Sequence, residues 1–212
     1  QGEIIWSPET PDGVVVWGQI YLEYERQGGS GSFLGFPRGN HRRIGPGWEQ
    51  IFEGGRIFYK EGAFKAYEVH GKILEKYLNS GWISKWGYPI SNELDIVEGD
   101  EVIGKLSKFE GCSIYWKAGI GAFELHGMIL QKYTDKRGPK GILGFPTSDE
   151  QDIPGVAGHG RANTFENGSI LWYGDWHSMQ VALPFKVWIG RVDTRENEGP
   201  GMGENDIYFG HI

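Results

Sequence analysis

Leu34-Gly35-Phe36-Pro37 returns as Trp86-Gly87-Tyr88-Pro89 and again as Leu143-Gly144-Phe145-Pro146, 52 and then 57 residues further on. Self-similarity at such a period is the mark of a repeat protein. A second block follows each tetrapeptide. It reads Phe52-Glu53-Gly54-Gly55-Arg56-Ile57-Phe58-Tyr59, then Phe109-Glu110-Gly111-Cys112-Ser113-Ile114-Tyr115-Trp116, then Phe165-Glu166-Asn167-Gly168-Ser169-Ile170-Leu171-Trp172. Gly2-Glu3-Ile4-Ile5-Trp6 is the end of a further copy. A third block reads His70-Gly71-Lys72-Ile73-Leu74-Glu75-Lys76-Tyr77 and His126-Gly127-Met128-Ile129-Leu130-Gln131-Lys132-Tyr133, with Trp17-Gly18-Gln19-Ile20-Tyr21-Leu22-Glu23-Tyr24 as its N-terminal form.

Each block predicts a local structure. Phe-Glu-Gly-Gly and its variants read as hairpin turns. Their third slot (Gly54, Gly111, Asn167) is expected to have positive φ, which Gly and Asn accept most readily. The x-Ile-x-Trp/Tyr that follows alternates with period two and is a strand. Ile73, Leu74 and Tyr77 lie three and four apart, one face of a short helix. The expected fold is therefore α+β: about four units of about 55 residues, each a short β-hairpin plus a short helix. Units this small cannot bury their own apolar faces and must share a core with their neighbours. A compact ring or cone is the expected packing. The boundaries are a half unit at 1–27, units at 28–79 and 80–136, and a partial unit at 137–182. The tail, 183–212, is expected to form a β-hairpin around an acidic loop, or to begin a further β domain.

Composition narrows the function classes. Gly supplies 35 of 212 residues, against a usual share of about 7%; nine Trp and 14% aromatics supply a core that a disordered chain lacks. The net charge of −7 argues against nucleic acid or an anionic membrane as partner. No apolar run is long enough to span a bilayer. The single Cys112 excludes an internal disulfide and a thiolate zinc cluster. The start at Gln1 rather than Met fits the removal of a signal peptide, a propeptide or further domains upstream.

The three blocks at matching spacing resemble the LGFP repeat family over roughly residues 2–181. The second copy departs at its tetrapeptide, with Trp86 and Tyr88 in place of Leu and Phe. The resemblance implies a secreted or cell-surface bacterial protein, often joined to a hydrolase or mycolyl-transferring enzyme. It implies a lectin-like module that attaches to cell-wall or other extracellular polysaccharide and does no chemistry itself.

Candidate site residues follow from that expectation. Sugar rings stack on indole faces, and Trp adds a polar handle. In the repeated column of Trp6, Tyr59, Trp116 and Trp172, Ile57 and Tyr59 share a strand face, which favours a core role; Trp116 and Trp172 are kept as ligand candidates. Trp48, Trp82 and Trp176 vary between copies and are candidate surface rings, as is Trp188. Glu93, Asp149 and Glu150, in the polar stretch after the tetrapeptide, are candidate ligand contacts. Glu53, Glu110 and Glu166 recur once per unit, a poor match to a paired-carboxylate glycosidase; bonds to turn amides are the expected role. His70 and His126 share a slot with Trp17, so they are expected to be structural rings over the helix start. No His partner is evident for Cys112. Asp193, Glu196, Asn197, Glu198, Asn205 and Asp206 supply enough oxygens for Ca²⁺, the one candidate cofactor; a solvated loop is the simpler expectation. Two other functions stay open: a cell-surface or filament subunit that assembles through the C-terminal strand, 207–212, and a cell-wall hydrolase with unidentified acids.

Overall fold

The computed structural model describes residues 1–153, 160–173, 178–183 and 186–191. The chain builds small antiparallel sheets joined by short helices. β1 (Gly2–Ser7) and β2 (Thr10–Trp17) form a hairpin that runs into α1 (Gly18–Gln27). β3 (Arg42–Ile44), β4 (Gly47–Ile51), β5 (Gly55–Lys60) and β6 (Tyr67–His70) form a four-stranded meander that leads into α2 (Gly71–Asn79) and the short α3 (Trp82–Trp86). β7 (Leu94–Glu98), β8 (Glu101–Lys108), β9 (Ser113–Lys117) and β10 (Gly121–Leu125) repeat the meander ahead of α4 (Gly127–Asp135). The last sheet is β11 (Gln151–Asp152), β12 (Gly160–Phe165), β13 (Gly168–Tyr173), β14 (Ser178–Leu183) and β15 (Lys186–Arg191). β15, in the tail, pairs with β14.

Register shows how the copies correspond. Ile4 faces Val15, Ile57 faces Glu68, Ile114 faces Glu124 and Ile170 faces Val181. α1, α2 and α4 each pack on the hairpin before and on the hairpin after. Val16, Ile20 and Tyr24 meet Ile57 of the next hairpin in one apolar cluster. Phe58, Val69, Ile73 and Tyr77 meet Ile114 in a second, and Leu125, Ile129 and Tyr133 meet Ile170 in a third. Hairpins and helices alternate as layers, so the core is shared between neighbours as repeat proteins require.

One tyrosine ties each layer together. Tyr24, Tyr77 and Tyr133 stack on Phe52, Phe109 and Phe165 with centroids 4.8, 4.2 and 4.7 Å apart. Their hydroxyls donate to the carbonyls of Gly35, Gly87 and Gly144 at 3.0, 2.6 and 2.7 Å. Helix, turn and tetrapeptide thus meet on one side chain.

Two features differ from the sequence reading. The third turn slot is not left-handed: Gly54, Gly111 and Asn167 are absent from the positive-φ residues. Their N–H groups instead donate to the carbonyls of Leu34, Trp86 and Leu143 at 2.9, 2.8 and 3.0 Å. At Gly54 a Cβ would overlap the carbonyl of Phe33, so close approach selects glycine there. The left-handed positions that recur in every copy include the tetrapeptide glycines Gly35, Gly87 and Gly144 (φ 66, 68 and 71°), the helix-entry glycines Gly18, Gly71 and Gly127 (φ 66, 55 and 53°) and a pair at each helix exit. That pair is Gly28-Gly29, Gly81-Trp82 and Arg137-Gly138. Every copy spends at least one glycine on it, and Trp82 (φ 52°) takes its strained conformation from this shared exit.

Candidate functional site

The candidate site is the junction where the end of one hairpin meets the polar stretch after the next tetrapeptide. Two of the three junctions are charged. His70 Nδ1 lies 2.7 Å from Glu68 Oε2, and its Nε2 lies 3.2 Å from Glu93 Oε1. Glu93 also pairs with Lys105 at 3.6 Å, and Lys105 pairs with Asp95. The next copy repeats the arrangement: His126 lies 2.9 Å from Glu124 and 3.3 Å from Glu150, with Arg161 between Glu150 and Asp152. Glu68 and Glu124 are buried. Each has its own N–H bonded to the polar stretch, Glu68 to Asn92 at 3.0 Å and Glu124 to Asp149 at 3.2 Å.

The expected ring-over-helix role of the histidines takes a different form. They occupy the N-cap position but make no side-chain cap bond. Each is held between two carboxylates and lies against an aromatic ring, Phe33 for His70 and Trp86 for His126. Burial pulls the His70 pKa down, but hydrogen bonds to Glu68 and Glu93 and their charges outweigh it and raise it to about 9. Hydrogen bonds to Glu124 and Glu150 raise His126 to about 9 against burial. Both rings are cationic at neutral pH. A folded pKa above the unfolded value of ~6.5 stabilises the fold fully below pH ~6.5, and that stability is lost as pH rises through about 9. The ceiling is about 3 kcal/mol for each ring, reduced towards about 1–2 by the quarter of each side chain left in water. Urea midpoints measured at pH 6 and pH 10 should therefore differ. A double His70→Gln, His126→Gln variant should lose most of that difference; an unchanged pH profile would place the titration elsewhere.

The first junction uses the same four slots for different chemistry. Trp17 takes the place of His70, His41 that of Glu93, Trp48 that of Lys105, and Arg43 that of Asp95. Trp17 Nε1–H donates to the His41 imidazole at 3.0 Å, and the two rings meet edge to face at 5.1 Å. His41 meets Trp48 edge to face at 5.0 Å. The Arg43 guanidinium lies 5.4 Å from the Trp48 centroid, and both of its amino groups bind Glu61, at 3.0 and 3.2 Å. Burial lowers the His41 pKa, which favours the uncharged ring. Asn40 Oδ1 accepts the Val15 N–H at 3.0 Å, as Asn92 and Asp149 do for their copies. Trp17 is 51% exposed. The result is a set of three aromatic rings, Trp17 exposed and His41 and Trp48 half-buried, beside the Arg43–Glu61 ion pair.

The residues singled out from the sequence divide accordingly. Trp48 belongs to the aromatic junction. Glu93 and Glu150 hold the junction histidines, and Asp149 pairs with Lys76 of α2. Trp116 and Trp172 are half-buried beside their cores, as the column reading expected, while Trp6 is exposed. Trp82 is half-buried; its Nε1–H lacks a protein partner among the described residues, and Arg42 lies 5.9 Å from its ring. Trp176, Trp188 and the calcium candidates Asp193, Glu196, Asn197, Glu198, Asn205 and Asp206 lie outside the residues whose side chains are described, as does the strand expected at 207–212. No cluster suited to a metal occurs among the described residues. Trp17 and His41 each stand alone as a departure from their column, so neither reads as a site residue when one column is taken at a time. The signal was present: columns 17/70/126, 41/93/150, 48/105/161 and 43/95/152 change chemistry together.

The turn glutamates fix the tetrapeptide. Oε2 of Glu53, Glu110 and Glu166 accepts the N–H of Phe36, Tyr88 and Phe145 at 3.1, 3.1 and 2.8 Å. The amide belongs to the tetrapeptide, not to the turn as expected. Oε1 of Glu110 and Glu166 accepts from Lys60 and Lys117 at 2.5 and 2.6 Å. Burial raises the pKa of both acids, and the lysines and amides more than offset it, leaving them below the usual carboxylate range. Cys112 is buried, and burial pushes its thiol pKa far up, the opposite of an activated nucleophile.

Among the described residues no helix is long and apolar enough to cross a membrane. A comparison with curated proteins finds no match. The family profile for the LGFP repeat matches residues 34–84, 87–141 and 143–182. With three matched repeats over most of its length, the chain belongs to the LGFP repeat family.

Proposed function

We propose that the protein is a non-catalytic, lectin-like module that works outside the cell or on its surface and attaches to a polysaccharide such as a cell-wall glycan. The observation that carries this reading is the aromatic junction of Trp17, His41 and Trp48, with Trp17 exposed. Ring faces and edges suit the apolar C–H surface of a sugar, and the Asn40 side chain beside them provides polar direction. At the other two junctions ion pairs stand where Trp17, His41 and Trp48 stand here, which leaves the first junction as the principal ring contact. Weaker contacts at Trp116 and Trp172 would add avidity along a polymer. The finer architecture of this reading is about four units packed as a compact ring or cone whose first hairpin face stays open.

The test is co-sedimentation of the purified chain with insoluble bacterial cell-wall polysaccharide, with calcium and with a chelator. Saturable pelleting is expected. Trp17→Ala should weaken it at least tenfold, about 1.4 kcal/mol, whereas Glu93→Gln should leave it within about twofold. Loss on chelation would bring the acidic loop into the site. No pelleting, or equal pelleting of Trp17→Ala, would overturn the reading and favour a self-assembling subunit, which sedimentation velocity would reveal.

A further inference from the structure

The four hairpins of the β1–β2 type are not equally covered. Ile57, Ile114 and Ile170 are 0% exposed because the helix of the preceding layer, α1, α2 or α4, lies on them. Ile4 holds the same register position in the first hairpin and is 47% exposed. Its neighbours on that face are open too: Trp6 at 60% and Val15 at 41%. Val15 corresponds to Glu68 and Glu124, which are buried, and to Val181, also buried. The described residues therefore hold four such hairpins and three of the helices that cover them.

We infer that the face of Ile4, Trp6 and Val15 is a docking surface for one amphipathic helix of the repeat's own kind, Gly-x-Ile-x-x-x-Tyr, supplied by another LGFP unit. The argument is continuity with an interface that this chain already makes three times. In each instance the helix presents an Ile and a Tyr, as Ile20 and Tyr24, Ile73 and Tyr77, and Ile129 and Tyr133, to an Ile of the following hairpin. Only the first hairpin offers its Ile, with an aromatic neighbour, to solvent. A second copy of this chain is a poor donor, because α1, α2 and α4 each lie between two hairpins. A sugar is a poor occupant of this face, because it holds apolar side chains whose equivalents are closed by protein. Docking would leave the aromatic junction accessible: His70, in the slot of Trp17, keeps a quarter of its side chain in water although α1 covers the face beside it. The inference thus stands apart from polysaccharide binding.

The experiment uses the full chain with a copy of residues 55–111, one repeat period, placed directly before Gly2. Hydroxyl-radical footprinting with peptide mapping reads Trp6, and hydrogen exchange reads the amides of 2–17. Labelling of Trp6 is expected to fall at least fivefold relative to the unextended chain, with slower exchange across β1 and β2. In a control, the copied Ile73 and Tyr77 are both changed to Asp, and the protection should be lost. Trp6 labelling that stays unchanged would overturn the inference, as would an added segment that remains unfolded by circular dichroism. Equal protection in the control would overturn it as well, because the covering group would then not be the helix face.

Discussion

Tyr77→Ala is expected to destabilise the protein by about 4 kcal/mol, within the usual range for removing a buried aromatic ring. Tyr77 is fully buried, stacks on Phe109, meets Phe58 edge to face at 5.8 Å, and bonds the Gly87 carbonyl. Its loss opens a cavity between two layers and strands that carbonyl. For a chain of this size the melting temperature should fall by about 10 °C. Tyr77→Phe keeps the stack and should cost only about 1–2 kcal/mol, the unpaired carbonyl. Urea unfolding of the two variants separates the terms. A loss under 1 kcal/mol for the alanine variant would mean that the ring does not join the layers.

The second large effect is at Gly87. An alanine there would hold φ near +68° and push its Cβ into the Glu110 carboxylate, 2.8 Å from that residue's own Cβ. The left-handed conformation costs about 1–2 kcal/mol. Displacing Glu110 from the Tyr88 N–H and Lys60 adds about 1–2 more. The sum is about 3 kcal/mol. Gly71 also has positive φ (55°), but nothing lies within 4 Å of its missing Cβ. Gly71→Ala should cost about 1 kcal/mol, the conformational part alone. Equal losses at the two sites would show that the carboxylate contact contributes nothing.

The elements that read clearly from the sequence are those made by neighbours along the chain. The Glu53-Gly54 turn, the Ile57 and Ile114 strands and the Ile73/Tyr77 helix face follow from local period and turn chemistry. The roles of polar residues do not, because their partners are set by the way layers stack. Glu93 read as a ligand contact, yet its partner His70 sits at the end of the previous hairpin. Asp149 read in the same way and is paired with Lys76, 73 residues away. The Gly and Asn of the third turn slot suggest positive φ, but at Gly54 it is the Phe33 carbonyl packed against the backbone that selects glycine. At Trp17, a comparison of one column at a time hid what four columns together display.

The bonds between α1 and Asn92 and between α2 and Asp149 bear on how the chain is made. Buried Glu23 accepts from Asn92, which follows it by 69 residues. During synthesis at roughly 5–20 residues per second, that partner arrives about 3–15 s later. Until then the first helix can form, but its carboxylate lacks the cross-layer amide that meets it in the finished protein. The second helix waits in the same way for Asp149. Completion therefore lags translation by more than one repeat, and a ribosome stalled between units would hold a chain whose last finished layer is not the last one made.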